Sequence, residues 1–251
     1  MLTTALELAD SARLIAKQYF RTPLNVETKS DASPVTQADR AIEQALRRMI
    51  EERFSDHGIV GEETGKTGAQ ARFQWVLDPI DGTRPFLSGI PTFTTLIALC
   101  DGGVPILGVI DQPILEERWV GMLGNPTSLN GAPCRTSGLA RLDRARLSTT
   151  SMTYFTEKQQ AAFSALSTAS ASCWNGGDAY AYAMLASGHL DLVVDCGMQS
   201  YDFCALRAVV EGAGGVITDW QGAPLTLGSN GTCLAAASPE LHAAALAVLK
   251  C

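Results

Sequence analysis

The chain has 251 residues, 46% hydrophobic and 18% charged, with a formal net charge of −7. That is enough apolar material for a large core, and an acidic balance with no Lys/Arg run argues against nucleic-acid or anionic-membrane binding. No apolar stretch approaches a membrane span, and Glu7 and Asp10 interrupt the N-terminus, which argues against a signal peptide. Seven cysteines without C-x-x-C spacing read as reduced core residues of a cytoplasmic protein. His57, His189 and His242 lie too far apart for a zinc pattern.

Leu6, Ala9, Ala12, Ile15, Ala16 and Tyr19 recur at helical spacing, and Pro23 ends that helix. A polar segment, Glu27 to Pro34, leads to a second helix with Ala38, Ile42, Ala45, Leu46, Met49 and Ile50 on one face. Thr36 caps it, with Asp39 as the capping-box partner. Strands follow near Ile59-Val60 and Trp75–Leu77. Thr92–Leu99, Ile106–Ile110 and Arg118–Gly121 read as consecutive antiparallel strands, and Asn130-Gly131 as a hairpin turn. The second half alternates. Strands are expected at Arg146–Thr149, Ala171–Cys173, Leu192–Val194, Gly215–Thr218 and Cys233–Ala236. Helices are expected from Glu157, Asp178, Asp202 and Glu240. A helix pair with a mostly antiparallel sheet, followed by an α/β unit, is the fold class these patterns support.

The most informative stretch is Trp75-Val76-Leu77-Asp78-Pro79-Ile80-Asp81-Gly82-Thr83. An apolar run ends in two acids; Pro79 and Gly82 predict that the strand stops at Leu77 and enters a tight loop. Paired carboxylates without nearby Cys or His suit a hard cation, Mg²⁺ or Mn²⁺. Gly82 and Thr83 would offer N–H groups and a hydroxyl to an anion beside it. The same string is also ordinary turn chemistry. Glu62 and Glu63 follow a short apolar strand, and Asp202 opens a helix; solvated loop charges and a helix-dipole acid are the bland readings of these. The run Gly61 to Thr67 has only three residues between its glycines, one short of a nucleotide-binding phosphate loop.

G-E-E (Gly61 to Glu63), W-V-L-D-P-I-D-G-T (Trp75 to Thr83), and Tyr201-Asp202 followed by Glu211-Gly212-Ala213-Gly214-Gly215 together resemble the inositol-monophosphatase-like family of Mg²⁺-dependent phosphatases. The run Arg84 to Leu99 is most similar to the histidinol-phosphate phosphatases of that superfamily, as are Gly176 to Tyr182, Asp191 to Val194 and Gly214 to Gly222. Departures stand at Pro85, at Asp195 where that group usually has Glu, and at Met198-Gln199-Ser200.

The resemblance implies a five-layered αβαβα sandwich with the site where two halves meet: residues 1–133 carrying most metal ligands, residues 134–251 carrying Asp202 and substrate contacts. It implies two or three Mg²⁺ ions, with Mn²⁺ as substitute, held by Glu62, Asp78, the Ile80 carbonyl, Asp81 and Asp202. Glu62 and Thr83 would activate the attacking water, with Asp39 hydrogen-bonded behind Thr83. Asp81, Gly82, Thr83, Arg84, Asp178 and Asp195 would contact the phosphate or the substrate, a small phosphate ester; for Asp178 a helix N-cap is the alternative. Lys29 matches a mobile-loop lysine of the family or is simply solvated. The implied activity is histidinol-phosphate hydrolysis by a homodimer. Inositol-1-phosphate or another sugar phosphate is the alternative substrate, and a non-catalytic metabolite-binding module the alternative class.

Overall fold

The computed structural model describes residues 1–23, 26–28 and 34–250; Lys29 lies outside the described residues. In chain order the elements are α1 (Leu2–Tyr19), β1 (Val26–Thr28), β2 (Pro34–Thr36), α2 (Gln37–Arg53), β3 (Gly58–Gly61), β4 (Gly65–Thr67), β5 (Phe73–Asp81) and the short α3 (Thr83–Leu87). There follow β6 (Thr94–Asp101), β7 (Val104–Gln112), β8 (Glu117–Met122), β9 (Ser128–Leu129), β10 (Ala132–Pro133), β11 (Arg146–Thr149) and α4 (Glu157–Ala169). The chain closes with β12 (Ser172–Asn175), α5 (Asp178–Ala186), β13 (Leu192–Asp195), α6 (Ser200–Gly212), β14 (Val216–Thr218), β15 (Cys233–Ala236) and α7 (Pro239–Leu249).

β3 to β10 build an eight-stranded sheet in the order β10-β9-β8-β7-β6-β5-β3-β4; β12-β11-β13-β15-β14 form a five-stranded sheet. Successive strand residues point to opposite faces, and here both faces are buried. Trp75, Leu77, Ile97 and Leu99 meet the Ala5, Leu8, Ala9, Ala12 and Ala16 stripe of α1 and the Ile42, Leu46 and Ile50 stripe of α2. Val76, Leu96, Ala98 and Cys100, one residue out of phase, meet α5 and α6. The other side of that helical layer lies on Val193 and Ala235 of the smaller sheet. Leu192, Val194, Leu234 and Ala236 face the opposite way, onto Phe163 and Leu166 of α4 and Leu241, Ala245 and Leu249 of α7. The five layers are therefore α1/α2, large sheet, α5/α6, small sheet and α4/α7. α5 shows no amphipathic stripe because it is enclosed: Ala179, Ala181, Tyr182, Ala183, Leu185 and Ala186 are all buried.

Local signals in the sequence are largely realised. Thr36 and Asp39 form both halves of the capping box at α2. Asn130 and Gly131 both have positive φ, 50° and 81°, as a two-residue hairpin turn demands. One expectation is corrected. The strand does not stop at Leu77; β5 continues through Pro79 to Asp81, with a bulge that shifts register between Asp78↔Leu96 and Asp81↔Thr94. Pro79 lacks an N–H for the ladder, so pairing skips it, while its carbonyl accepts from Thr95 Oγ1 at 2.8 Å.

α6 lies close against β7 and β8 because those strands have glycine under it. A Cβ at Gly108 would collide with the Ala205 carbonyl, and one at Gly121 with the Ala208 carbonyl. Gly108→Ala and Gly121→Ala should therefore each lower stability by roughly 1–3 kcal/mol, as overpacking does. Chemical denaturation checks this; a wild-type midpoint for both would mean that the helix is free to shift outward.

Candidate active site

Three chain crossings bring the acids together. β3 runs parallel to β5 with Gly61 opposite Leu77, so Glu62 emerges beside Asp78. The Glu62 N–H donates to the Leu77 carbonyl at 3.2 Å, which holds it there. Asp78 shares the phase of Val76 and faces the α5/α6 layer. Asp81, three residues on, would face the other way in a regular strand; the bulge at Pro79 turns it to the same side, while Ile80 packs into the α1/α2 core. Asp202 enters from the first turn of α6. Carboxylate oxygens of Asp78, Asp81 and Asp202 all lie within 4.8 Å of one another.

Secondary contacts orient these groups. Asp202 Oδ2 accepts the Gln199 N–H at 2.6 Å, making Asp202 both the capping-box acid of α6 and a member of the cluster. Asp81 Oδ2 accepts the Ala179 N–H at the start of α5, at 2.7 Å. Asp78 Oδ1 is buried and has no hydrogen-bond partner.

Burial pushes all three carboxyls up, and their neighbours add to it. Asp78 is held well above the usual carboxylate range by burial, then by Glu62, Asp81 and Asp202. Asp81 is raised likewise by burial, then by Asp178 and Asp202. Asp202 is pushed up to about 7, chiefly by burial, while the Gln199 N–H opposes. An orphaned buried oxygen and a converging all-oxygen donor set fit a hard divalent cation, which would reverse each of these penalties.

The anion side is built from the turn after β5. Gly82 takes φ 82°, a left-handed conformation that costs other residues, and α3 starts at Thr83. Thr83 Oγ1 donates to the Ile80 carbonyl at 3.1 Å. The expected link from Asp39 to Thr83 is not formed. Asp39 Oδ2 instead accepts the Thr36 N–H and hydroxyl at 2.9 and 2.6 Å, and its buried Oδ1 has no partner. Burial outweighs the two Thr36 hydrogen bonds and, with the nearby Glu62 charge, pushes Asp39 up to about 6.

The acid cluster, Glu62 and the Gly82–Arg84 turn line one side of an open cavity of about 240 Å³, and Thr150, Tyr154, Asp178, Asp195, Met198 and Tyr201 line the other; Asp39 does not reach it. Asp178 is not the N-cap of α5; Gly177 is, and Asp178 follows with φ 45°. Such a conformation is rare outside glycine, and the carboxylate stands over the turn at Gly82. A Cβ on Gly82 would stand 3.2 Å from Asp178 Oδ2. Burial pushes Asp178 up to about 6 against the pull of Arg84. Asp195 also reaches the cavity, with donors on both oxygens: Thr149 Oγ1 at 3.1 Å, the Thr150 N–H at 2.7 Å and the Tyr182 hydroxyl at 2.9 Å. The carboxylate with spare acceptor capacity on this wall is Asp178.

Two residues escaped the sequence reading. Glu43, fully buried on α2, accepts the Glu63 and Thr64 N–H groups at 2.7 and 3.0 Å and pairs with Arg47 at 2.8 Å. Gly61 has no room for a Cβ against that carboxylate. The Glu62 loop is thus pinned from the core. A charged pair at i,i+4 on an otherwise apolar helix face was the available signal. Tyr154, in the turn before α4, had none.

The chain belongs to the inositol monophosphatase family, whose model matches residues 1–251. It is a family of phosphatases acting on small phosphate esters, and it is generally metal-dependent. Among its relatives, the bifunctional phosphatase IMPL2 of Arabidopsis thaliana is 48% identical over 86% of this chain and 63% of its own length. The chain thus spans less than two thirds of that plant protein. The histidinol-phosphatase of Mycobacterium tuberculosis is 35% identical, covering 96% of this chain and 94% of its own. In structure the chain matches an inositol monophosphatase from Zymomonas mobilis with a TM-score of 0.91 and 45% identity, covering 99% of this chain and 97% of that one. The similarity to histidinol-phosphatases and the αβαβα fold agree with the motifs. No helix among the described residues is long and apolar enough to cross a membrane.

Raised carboxyl pKa values fix a sign for stability against pH. From about pH 4 to about pH 7 the folded chain holds protons that the unfolded chain has released, so metal-free stability falls as pH rises. With chelator present, the melting temperature should drop from about pH 5 to about pH 8, and a divalent cation should restore it most at the upper end. Asp202→Asn should flatten the decline. Parallel pH profiles with and without cation would overturn this assignment.

Proposed function

We propose that the chain hydrolyses phosphate monoesters with Mg²⁺ and that its preferred substrate is histidinol phosphate. The observation that carries the substrate is Asp178: a carboxylate with spare acceptor capacity, set over the phosphate turn, on the wall where the organic part of an ester would lie. Histidinol carries an amine and an imidazole, both basic, whereas a polyol has no charge to offer it. The length-wide similarity to a histidinol-phosphatase supports the same reading. Inositol-1-phosphate is the second reading, favoured by the 45% identity to the Zymomonas mobilis protein.

Glu62, Asp78, Asp81, Asp202 and the Ile80 carbonyl would hold the cations. When bound, Mg²⁺ supplies charge neutralisation for the ester dianion and the departing alkoxide, and acidifies water. The chain's own groups do the rest. N–H groups of Gly82 and Thr83 hold phosphate oxygens, as oxyanion donors do. Glu62 accepts the proton of the attacking water, and the Glu43 clamp beneath its loop keeps that carboxylate in place. The Thr83 hydroxyl orients the same water, while Asp39, bonded to Thr36, fixes the start of α2. Arg84 borders the phosphate turn on the solvent side. Asp178 holds the cationic end of the leaving group, and Asp195, already braced by three donors, shapes the pocket floor.

Phosphate release from histidinol phosphate, inositol-1-phosphate, fructose-1,6-bisphosphate and adenosine 3′,5′-bisphosphate tests both parts. Activity should require Mg²⁺ or Mn²⁺ and vanish with EDTA; full turnover in chelator with no metal by elemental analysis would remove the metal role. Histidinol phosphate should show the highest kcat/KM, and a higher value for inositol-1-phosphate would transfer the assignment to that substrate.

Asp81→Asn should lower kcat by a factor of roughly 10² or more in a folded protein, since the charge it removes stabilises mainly the transition state. Near-wild-type turnover would reduce Asp81 to a turn residue.

A further inference from the structure

Arg84 and Asp178 border the same cavity and are opposite in charge, and Asp178 Oδ2 overhangs Gly82, two residues before Arg84 in the chain. Left alone, a guanidinium and a half-buried carboxylate at this range would pair. They do not: among the described residues no hydrogen bond or ion pair joins them. Arg84 instead turns away. Its Nη1 donates to the Tyr154 hydroxyl, and its guanidinium lies over the Tyr154 ring, 5.6 Å from the centroid. The hydroxyl and the ring of this one partly exposed side chain together hold it there. Tyr154 in turn is seated on Gly197, where a Cβ would stand 3.5 Å from the tyrosine Cβ. Gly197 has φ 76°, so the seat is specific to glycine.

We infer that Tyr154 is a specificity-determining residue: it tethers Arg84 and thereby leaves the Asp178 carboxylate open to a cationic leaving group. Without the tether Arg84 closes on Asp178, the carboxylate is neutralised, and the pocket treats charged and uncharged leaving groups alike. Tyr154 is thus a positioning residue that acts through Arg84 rather than through the reacting atoms. The inference rests on the reading of Asp178 given above and adds the device that keeps Asp178 available.

The readout is the ratio of kcat/KM for histidinol phosphate to that for inositol-1-phosphate, measured with Mg²⁺ on the full chain. Tyr154→Ala should lower the ratio about tenfold, the worth of one charge-assisted contact. Tyr154→Phe, which keeps the ring and loses the hydroxyl, should lower it less. Adding Arg84→Met to Tyr154→Ala should bring the ratio back to within about threefold of wild type, because the competing cation is gone. A merely structural role for Tyr154 predicts no such rescue. Asp178→Asn separates the two levels of the argument. If it leaves the ratio unmoved, the reading of Asp178 fails and the tether falls with it. If it lowers the ratio while Tyr154→Ala and Tyr154→Phe do not, or the double variant stays as low as Tyr154→Ala, the tether alone is overturned. Should Tyr154→Ala not fold, Tyr154→Phe with and without Arg84→Met carries the same comparison.

Discussion

Mutual repulsion of buried carboxylates is the constraint around which this molecule is arranged. Asp78, Asp81 and Asp202 crowd within 4.8 Å, with Glu62 adding its charge to theirs, and burial raises all three. Such a cluster is tolerated only when each acid is held by a rigid element and an opposing positive charge is supplied. Parallel pairing of β3 with β5 delivers Glu62, the Pro79 bulge delivers Asp81, and the first turn of α6 delivers Asp202. The N–H groups that these carboxylates accept, from Ala179 and Gln199, come from the starts of α5 and α6, the electropositive ends of two helices. These contribute part of the counter-charge. A divalent cation, if bound as proposed, would complete it.

Packing elsewhere serves that arrangement. α6 is sandwiched between the sheets, and its approach to β7 and β8 depends on the bare backbone at Gly108 and Gly121. Because Asp202 sits in the first turn of this helix, the depth at which α6 seats sets the position of a ligand. Glu43 plays the matching part from the opposite layer: a buried acid of α2, neutralised by Arg47, holds the loop behind Glu62. The outer α1/α2 layer thus reaches the site through one buried side chain, Glu43, and the central layer through the two side chains missing at Gly108 and Gly121.

Selectivity is a separate problem with a separate solution. The acid cluster is assembled from the large sheet and α6, whereas the opposite wall comes mainly from the segments around β11, β13 and the start of α5. Asp195 is on that wall because it shares the phase of Val193, toward α5, and Tyr182 and the Thr149-Thr150 strand end occupy it. Among the described residues Asp178 has no comparable set of donors. The cation across the cavity from it, Arg84, is engaged with a tyrosine 70 residues away in sequence. Charge on this wall is therefore adjustable without touching the acid cluster or the Gly82 turn.

Much of this was legible in the linear chain. Helix and strand order followed from periodicity, the Thr36–Asp39 cap from a four-residue spacing, the Asn130-Gly131 turn from two residues that accept positive φ, and the acids that cluster from motifs quoted along the chain. These are local properties, and local physics decides them. Three things were not local. The bulge at Pro79 depends on pairing with β6, so the sequence suggested a strand end where the tertiary structure has a continued strand that flips Asp81 across the sheet. Asp39 and Thr83 carry no mark of which partners they choose, and packing gave Asp39 to Thr36 and Thr83 to the Ile80 carbonyl. Glu43 and Tyr154 act on groups 20 and 70 residues distant, contacts made only when layers close on one another. The sequence by itself determined the elements, the fold family and the acids available to a site; only the tertiary structure decided which side chains share a face, because that depends on register and layer packing between segments far apart in the chain.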